Sequence, residues 1–310
     1  MHDQAQPLRR LVRDCLRTDD GLPTARGDLL LVAGGKGGVG TTSVALGLAL
    51  AFQQLGRRTL LVDAHPTGGD VGLMCSLEAG GPPGETLEED GQLADWLQRG
   101  PDGIQILAGP PPLARQLPGP AMAFDPRWMT ELAQLALPPE LVVVDAGSGV
   151  NPLVGRLWKA ADAALIVTTP DTPSVINTYA FLKQLRSPLQ PIVYCLVNRA
   201  ADSAAAGVVF ARIHRACRRF LALEPRPVGF LPDDPALAAA HSRGEPLLPG
   251  RSAAAQRLVR AASAVSEGLQ AAGEQRLSRI SEQEQFNFEP SDDRYSRTLS
   301  VAEQPLNYAD

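Results

Sequence analysis

A glycine-rich segment, Gly34-Gly35-Lys36-Gly37-Gly38-Val39-Gly40-Thr41-Thr42, constrains the fold of this chain more than any other part of the sequence. It lies between a short apolar run and an amphipathic stretch, which is the strand–loop–helix context of a phosphate-binding loop. The common pattern G-x-x-x-x-G-K-[ST] fits from Gly35 to Thr42, except that Thr41 stands where a lysine is expected. Lys36, directly after the first glycine of the pattern, is the lysine that the loop retains. The segment predicts an α/β fold built around this loop.

The loop predicts ATP and Mg²⁺ as cofactors, the alternative being a glycine-rich turn without a ligand. Glycines let the backbone turn tightly and approach a phosphate closely. Consecutive backbone N–H groups and the positive end of the following helix then bind the anion without help from side chains. The hydroxyl of Thr42 is in the position that binds Mg²⁺ in such loops. The residues expected to contact the nucleotide here are Gly35, Lys36, Gly37, Gly38, Val39, Gly40, Thr41 and Thr42.

Two apolar runs each end in an aspartate, which supports a nucleotide site. One run delivers Asp63 and the other Asp145, with Gly147 in the loop that follows the second. A carboxylate at the end of a strand can hold a Mg²⁺-bound water, and the loop after it can sense the γ-phosphate. Either aspartate alone is typical of a helix cap or a turn. Together with the glycine loop, they predict a Mg²⁺ site made by Thr42, Asp63 and Asp145, partly through water.

Short apolar runs alternate with helical patterns through the middle of the chain. Continuous apolar runs of this length suit strands that are covered on both faces. Strand–helix alternation implies a parallel sheet. The pattern predicts a single P-loop NTPase domain over residues 27–272, with a mostly parallel, twisted central sheet flanked by helices on both faces. The predicted strands are Leu29–Ala33, Thr59–Val62, Ile104–Leu107, Leu141–Val144, Ala164–Thr168, Ile192–Val197 and Pro227–Phe230.

The two ends of the chain differ from this domain. Residues 1–20 carry a short amphipathic pattern, which predicts an N-terminal docking segment. Residues 273–310 are acidic and poor in large apolar side chains, so a disordered tail is expected there. Two stretches rich in glycine and proline, Glu78–Asp90 and Pro110–Pro120, predict surface loops.

Charge and composition limit the function classes. A formal net charge of −5 at pH 7, with no Lys/Arg block, disfavours binding to bulk nucleic acid. No apolar run approaches the length of a transmembrane helix. The four cysteines lack metal-ligand spacing, and Cys195 and Cys217 lie in patterns typical of buried free thiols. We therefore expect a cytoplasmic protein.

The block from Lys36 to Thr42 resembles the deviant Walker A motif of the MinD/ParA ATPases, and the resemblance continues over most of the chain. Asp63-Ala64-His65-Pro66 resembles the switch I region of that family, and Asp145-Ala146-Gly147-Ser148-Gly149 its switch II. Asn198-Arg199 is similar to the family's adenine-reading segment. The turn that contains Pro232 is similar to the family's closing turn.

That resemblance implies specific roles. A homodimer forms on ATP binding, in which Lys36 reaches across to the phosphates of the partner subunit. Lys36, Asp63 and His65 stand at the positions of the family's catalytic residues. Asn198, Arg199 and Pro232 contact the nucleotide.

Within the family, the chain is most similar to the FlhG (YlxH) group of MinD-like regulators of flagellar number and placement. Asp3-Gln4-Ala5 with Leu8-Arg9 resembles the N-terminal helix by which that group docks on the GTPase FlhF. Thr168–Ser174 and Arg218–Leu221 are also similar to segments of the group. The resemblance implies a nucleotide-dependent spatial regulator whose partner is FlhF or a flagellar basal-body component.

Thr41 and His65 depart from the family pattern. Loss of a lysine–phosphate contact weakens the free energy of ATP binding by about 1.5–3 kcal/mol. The backbone N–H groups and Mg²⁺ are still expected to hold ATP. His65 stands where these ATPases place a water-activating aspartate. It can act as a base when neutral, and the alternative is a polar loop residue with no catalytic part. We expect an ATP-binding switch with slow or absent hydrolysis.

Membrane contact is not predicted. A basic amphipathic helix at the carboxyl terminus would be its signature, whereas Arg257–Gln270 has the pattern of a helix that packs on the core. Any recruitment to the cell pole or the inner face of the membrane would then depend on a partner.

Two other functions stay open on the sequence. Gly-Thr-Thr loops of this kind resemble those of the CpaE and BcsQ groups, non-hydrolysing scaffolds for pilus or polysaccharide machinery. A ParA-type DNA-partitioning ATPase is the other function, and the net negative charge of the chain argues against it.

Overall fold

The computed structural model of the protein describes residues 27–65, 70–77, 97–108, 134–135, 137–188, 190–235, 239 and 252–287. Within these ranges, eight strands form one sheet. The strands are β1 (Asp28–Gly34), β2 (Thr59–Asp63), β3 (Gln98–Arg99), β4 (Gln105–Leu107), β5 (Leu141–Ser148), β6 (Ala163–Thr168), β7 (Ile192–Val197) and β8 (Arg226–Phe230). The helices are α1 (Thr41–Gln54), α2 (Val71–Met74), α3 (Pro152–Ala160), α4 (Thr172–Leu185), α5 (Ser203–Leu221) and α6 (Ala253–Asn287).

The strand order is β3-β4-β2-β5-β1-β6-β7-β8. All neighbouring pairs are parallel except β3 and β4, which are antiparallel. Strand β1 lies between β5 and β6, so the chain moves to one side of β1 for β2 and to the other for β6. In open sheets of this kind, ligands bind at the carboxyl ends of the strands where the order reverses.

The sheet is covered on both faces, because its inner strands are apolar on both sides. Every residue of β2 and β6 is buried. One core packs the sheet against α3, α4 and α5 through side chains such as Trp158, Phe181 and Ile213. The other packs it against α1 and α6, with Phe52 and Leu258 among its members. The predicted fold class, a mostly parallel sheet with helices on both faces, is confirmed.

All seven predicted strands are present, and β3 is a strand that the sequence did not predict. It is two residues long and polar, so it carries no apolar run. Cys75, Cys195 and Cys217 are buried free thiols. No helix in the described ranges is long and apolar enough to cross a membrane.

The last helix extends beyond the predicted end of the domain. The compact unit of the sheet ends at Leu269, and a second unit begins at Gln270. Helix α6 continues to Asn287. The part of the predicted disordered tail from 273 to 287 is therefore helical, because its glutamates, glutamines and arginines are good helix formers. The rest of the tail, the N-terminal docking segment and the two predicted glycine- and proline-rich loops fall outside the described residues.

Candidate nucleotide-binding site

The glycine-rich loop joins the end of β1 to the start of α1, as its pattern predicts. Gly40 precedes the helix in a left-handed conformation with φ of 89°, and Gly38 has φ of 77°. Residues with L side chains rarely adopt these angles. Lys36, Gly37 and Gly38 are exposed, while Val39 is buried beneath them. The exposed backbone at the amino end of α1 is therefore open to an anion.

Close contacts explain why other loop positions are glycine. A Cβ atom on Gly35 would lie 2.6 Å from the backbone of Asn177 in α4. A Cβ atom on Gly40 would overlap the side-chain amide of Asn198. The loop is thus seated against the segments that follow β6 and β7, and its shape depends on both.

Thr41, at the position of the missing lysine, lies beneath the loop. The residue is only 6% exposed. A Cβ atom on Gly34 would be 2.7 Å from its hydroxyl oxygen. Thr41 therefore packs against the end of β1, and it places no positive charge at the phosphate position.

Asp63, the last residue of β2, lies beside Asp145 of β5, its register partner. Both are fully buried. The backbone N–H groups of His65 (3.1 Å) and Val71 (3.3 Å) donate to the Asp63 carboxylate, and that of Gly147 donates to Asp145 Oδ1 at 3.0 Å. Asp145 Oδ2 is buried and has no hydrogen-bond partner among the described residues.

Burial shapes the charge state of both carboxyl groups. It raises the pKa of Asp63 to about 6, opposed by the His65 N–H and increased further by the neighbouring Asp145. Burial also raises the pKa of Asp145, against the effect of the Thr42 hydroxyl and the Gly147 N–H. A nearby cation would stabilise the ionised form of each carboxyl group.

The residues present fit a Mg²⁺ ion. Mg²⁺ binds oxygen ligands and usually keeps several of its waters. The unpartnered Asp145 Oδ2 and the nearby Thr42 hydroxyl are such oxygens, and Asp63 adds a second carboxylate next to them. Thr42, Asp63 and Asp145 are the three residues that the sequence predicts for this ion.

His65 lies against switch II. A Cβ atom on Gly147 would overlap the imidazole ring, approaching Nε2 to 2.6 Å. Gly147 has φ of 65°, so both its backbone and its surroundings favour glycine. Because the ring occupies this space, the shape of the loop after Asp145 is linked to the position of His65.

Lys36 Nζ lies 3.4 Å from Asp171 Oδ1, and both side chains are more than two-fifths exposed. Asp171 caps α4: it accepts hydrogen bonds from the Ser174 N–H at 2.9 Å and from the hydroxyls of Ser174 (2.6 Å) and Thr169 (2.5 Å). The Ser174 and Thr169 hydroxyls hold the pKa of Asp171 well below its usual range. The sequence analysis did not identify Asp171 as a site residue, although Asp-Thr-Pro is a typical helix start.

Asn198 and Arg199 contact the phosphate loop directly. Asn198 Nδ2 donates to the Val39 carbonyl at 2.8 Å, and Arg199 Nη1 donates to the Gly38 carbonyl at 3.1 Å. Pro232 follows Leu231, whose N–H donates to the Val197 carbonyl at 3.0 Å. Asn198 and Arg199 therefore lie beside the loop at the carboxyl end of β7, and Pro232 lies just after β8.

The structure brings the predicted site residues to one edge of the sheet. All of them lie at or near the carboxyl ends of parallel strands: the loop from Gly35 to Thr42, Asp63, His65, Asp145, Gly147, Asn198, Arg199 and Pro232. Their individual roles stay predictions. The predicted docking residues Asp3, Gln4, Ala5, Leu8 and Arg9 lie outside the described residues.

Comparison with known proteins agrees with this geometry. The family model described as the CobQ/CobB/MinD/ParA nucleotide binding domain matches residues 30–247. The antiactivator FleN of Pseudomonas aeruginosa is 29% identical over 220 residues, which cover 68% of this chain and 76% of FleN. The flagellum site-determining protein YlxH of Helicobacter pylori is 22% identical over 195 residues, or 62% of this chain and 65% of YlxH.

A solved structure of the septum site-determining protein MinD from Pyrococcus horikoshii, in complex with Mg-ADP, has a similar fold. Its TM-score is 0.58 at 19% identity, and the match covers 77% of this chain and 96% of that one. At this identity the likeness supports the fold alone.

We predict that Gly147→Ala destabilises the protein through His65. Overpacking costs about 1–3 kcal/mol, and the left-handed backbone adds a cost of its own, about 1–2 kcal/mol. Gly149→Ala is the matched control, because Gly149 has φ of 82° and no atom within 4 Å of a Cβ there. Urea unfolding of both variants should show the larger loss for Gly147→Ala. The excess should disappear in a His65→Ala background, and an equal loss in both backgrounds would contradict the contact.

We also predict a pH dependence that arises from Asp63. Its pKa is raised from 3.8 to about 6 in the folded protein, so the folded state binds the proton more tightly than the unfolded state does. The free energy of unfolding of the nucleotide-free protein should therefore fall as the pH rises from about 4 to about 6, by at most about 3 kcal/mol.

Urea titrations at pH 4.5 and pH 7 test this prediction, because these values lie on either side of the folded-state pKa of Asp63, which is about 6 (each differs from it by on the order of one unit). Asp63→Asn should lose the share of the pH dependence that comes from Asp63 and keep the share from Asp145, whose pKa is also raised, while Asp102→Asn, at an exposed aspartate, should follow the wild type. The same pH dependence in Asp63→Asn and wild type would contradict the assignment.

Proposed function

The chain belongs to the CobQ/CobB/MinD/ParA family of nucleotide-binding proteins, and we propose that it is an ATP-dependent MinD-like switch of the FlhG type, which controls the number or placement of flagella. Its similarity to FleN and to the flagellum site-determining protein YlxH supports the flagellar role. The observation that carries the switch is the position of Lys36, exposed at the mouth of the loop and held by Asp171.

Each part of the site has a task in this proposal. The loop N–H groups bind and orient the phosphates, and Asn198 and Arg199 hold the loop in shape through its carbonyls. Thr42 and Asp145 would hold Mg²⁺, with Asp63 contributing through water. Bound Mg²⁺ would neutralise phosphate charge. Pro232 and the segment after β7 enclose the base.

Lys36 is the residue that couples nucleotide to dimerisation. Exposed ion pairs contribute only about 0–1 kcal/mol, so the pair with Asp171 is easily broken. A charge-assisted contact with a phosphate is stronger, about 1.5–3 kcal/mol. Lys36 would therefore leave Asp171 for the nucleotide of a second subunit when ATP is bound, which favours the dimer.

Hydrolysis is slow or absent in this proposal. Thr41 provides no charge at the phosphates, because its side chain is a neutral hydroxyl, and the residue is buried beneath the loop. The catalytic set of Lys36, Asp63 and His65 lacks the usual aspartate at position 65. A positioned base typically contributes about 10²–10⁴-fold to a rate, so replacing that aspartate shifts the protein towards sensing ATP.

The partner in this proposal is a FlhF-type GTPase, contacted by Asp3, Gln4, Ala5, Leu8 and Arg9, or a flagellar basal-body component. The motif resemblance of the N-terminal segment supports the first. Recruitment to the cell pole would follow from that partner.

We predict that Lys36→Ala prevents ATP-dependent dimerisation while ATP still binds the monomer, because the loop N–H groups and the Mg²⁺ ligands are retained. Light scattering after size exclusion, with and without Mg-ATP, measures the change in mass. Lys183→Ala, at an exposed lysine of α4, is the control and should dimerise as wild type does. A Lys36→Ala dimer that forms equally well would contradict the role of Lys36.

We predict that a chain lacking residues 1–16 no longer stimulates GTP hydrolysis by a FlhF-type GTPase, although it still binds ATP. Phosphate release by the GTPase, with full-length or truncated protein added, measures the effect. Unchanged stimulation by the truncated chain would refute the docking role.

A further inference from the structure

Helix α5 has two unlike faces. Its inner face packs on the sheet through buried apolar side chains, Ala206, Val209, Ile213, Cys217 and Leu221. The outward face carries Arg212, Arg215, Arg218 and Arg219, all exposed. We call these four residues the arginine face.

The arginine face is a local positive surface on a chain whose net charge is −5. Helix α5 contains no aspartate or glutamate among its 19 residues. Among the described ion pairs, Glu224 lies 3.6 Å from Arg218, and both side chains are 71% exposed, so solvent screens this pair. The remaining guanidinium groups keep their attraction for carboxylates or phosphates.

Exposed apolar side chains flank the arginine face. Val208 lies at the amino end of the face and is 63% exposed. Phe220 lies at the carboxyl end, about 100° around the helix from Arg219, and is 60% exposed. Arg219 stacks over the Phe220 ring at 5.2 Å, and Phe210 lies beside His214 with ring centroids 5.5 Å apart. A shallow depression is lined by Phe210, Ala211, His214, Arg215, Arg218 and Arg219. Apolar anchors beside arginines are typical of the centre of a protein–protein interface.

We propose that the arginine face binds an acidic amphipathic helix of a partner protein. This proposal goes beyond the nucleotide switch and does not depend on it. A phosphate backbone would pair with the arginines but would leave Val208 and Phe220 exposed to water. An amphipathic helix with glutamates and apolar residues would satisfy both.

The spacing of the face defines the partner. Val208, Arg212, Arg215 and Arg219 follow one another at intervals of four, three and four residues, which places them on one line of the helix surface. At 1.5 Å per residue this line is about 16 Å long. A partner helix of about three turns, with glutamates at the same intervals and an apolar residue near each end, would match it.

Fluorescence anisotropy tests the proposal with defined probes. The ordered probe is a labelled helical peptide of about 20 residues, with glutamates at the four-three-four spacing and a leucine at each end. A scrambled peptide of the same composition and a DNA duplex of about 24 base pairs are the other probes. Wild type is compared with Arg215→Glu/Arg219→Glu and with Lys183→Glu/Arg186→Glu, a control with the same charge change at exposed positions of α4 and its end.

The proposal expects the ordered peptide to bind wild type more tightly than the scrambled one. Affinity should fall by at least about tenfold in Arg215→Glu/Arg219→Glu and by less than about twofold in the control. The second double variant, Arg212→Glu/Arg218→Glu, should show the same loss of affinity. It tests the arginine face independently if the first variant does not fold. Absence of peptide binding or an equal loss in the control would overturn the proposal. DNA binding that depends on these arginines would overturn it as well, because the surface would then recognise phosphates.

Discussion

Two buried carboxyl groups, Asp63 and Asp145, are the constraint on which the site depends. They lie side by side in the register of β2 and β5, with no exposure to solvent. Burial raises the pKa of each, and Asp145 keeps one oxygen without a hydrogen-bond partner among the described residues. Such a pair costs folding free energy unless a cation or proton compensates it. The proposed Mg²⁺ and nucleotide site is the arrangement that accounts for this cost.

The loop compensates for its missing lysine with neighbours from other strands. Asn198 and Arg199 hold its carbonyl groups, and Asn177 and Asn198 leave room only for glycine at two of its positions. Lys36, at the exposed start of the loop, is paired with Asp171. The shape of the loop thus depends on backbone contacts, while the charge of Lys36 lies in an exposed ion pair.

The fold followed from the sequence because its signals are local. Each of the seven predicted strands is a mainly apolar run. The glycine-rich loop fixes where β1 ends and α1 begins. Strand β3 was missed because it is polar and two residues long. Helix α6 continues to Asn287, past the predicted end of the domain at residue 272, because glutamate, glutamine and arginine favour helices as well as being typical of disordered tails.

The site was predictable in part. Asp63 and Asp145 end apolar runs, which marks them in the sequence. Asp171 was missed because a helix-capping aspartate looks the same whether or not a lysine lies next to it. The packing of His65 on Gly147 joins residues far apart in the chain, so no local pattern could reveal it.

The central claim is that this loop binds ATP through backbone and Mg²⁺ without the usual lysine. Calorimetric titration of ATP into the wild-type protein, with and without Mg²⁺, tests it most directly. The account predicts saturable binding of one ATP per chain, at least about tenfold tighter when Mg²⁺ is present. Absence of binding, or an affinity that Mg²⁺ does not change, would contradict it.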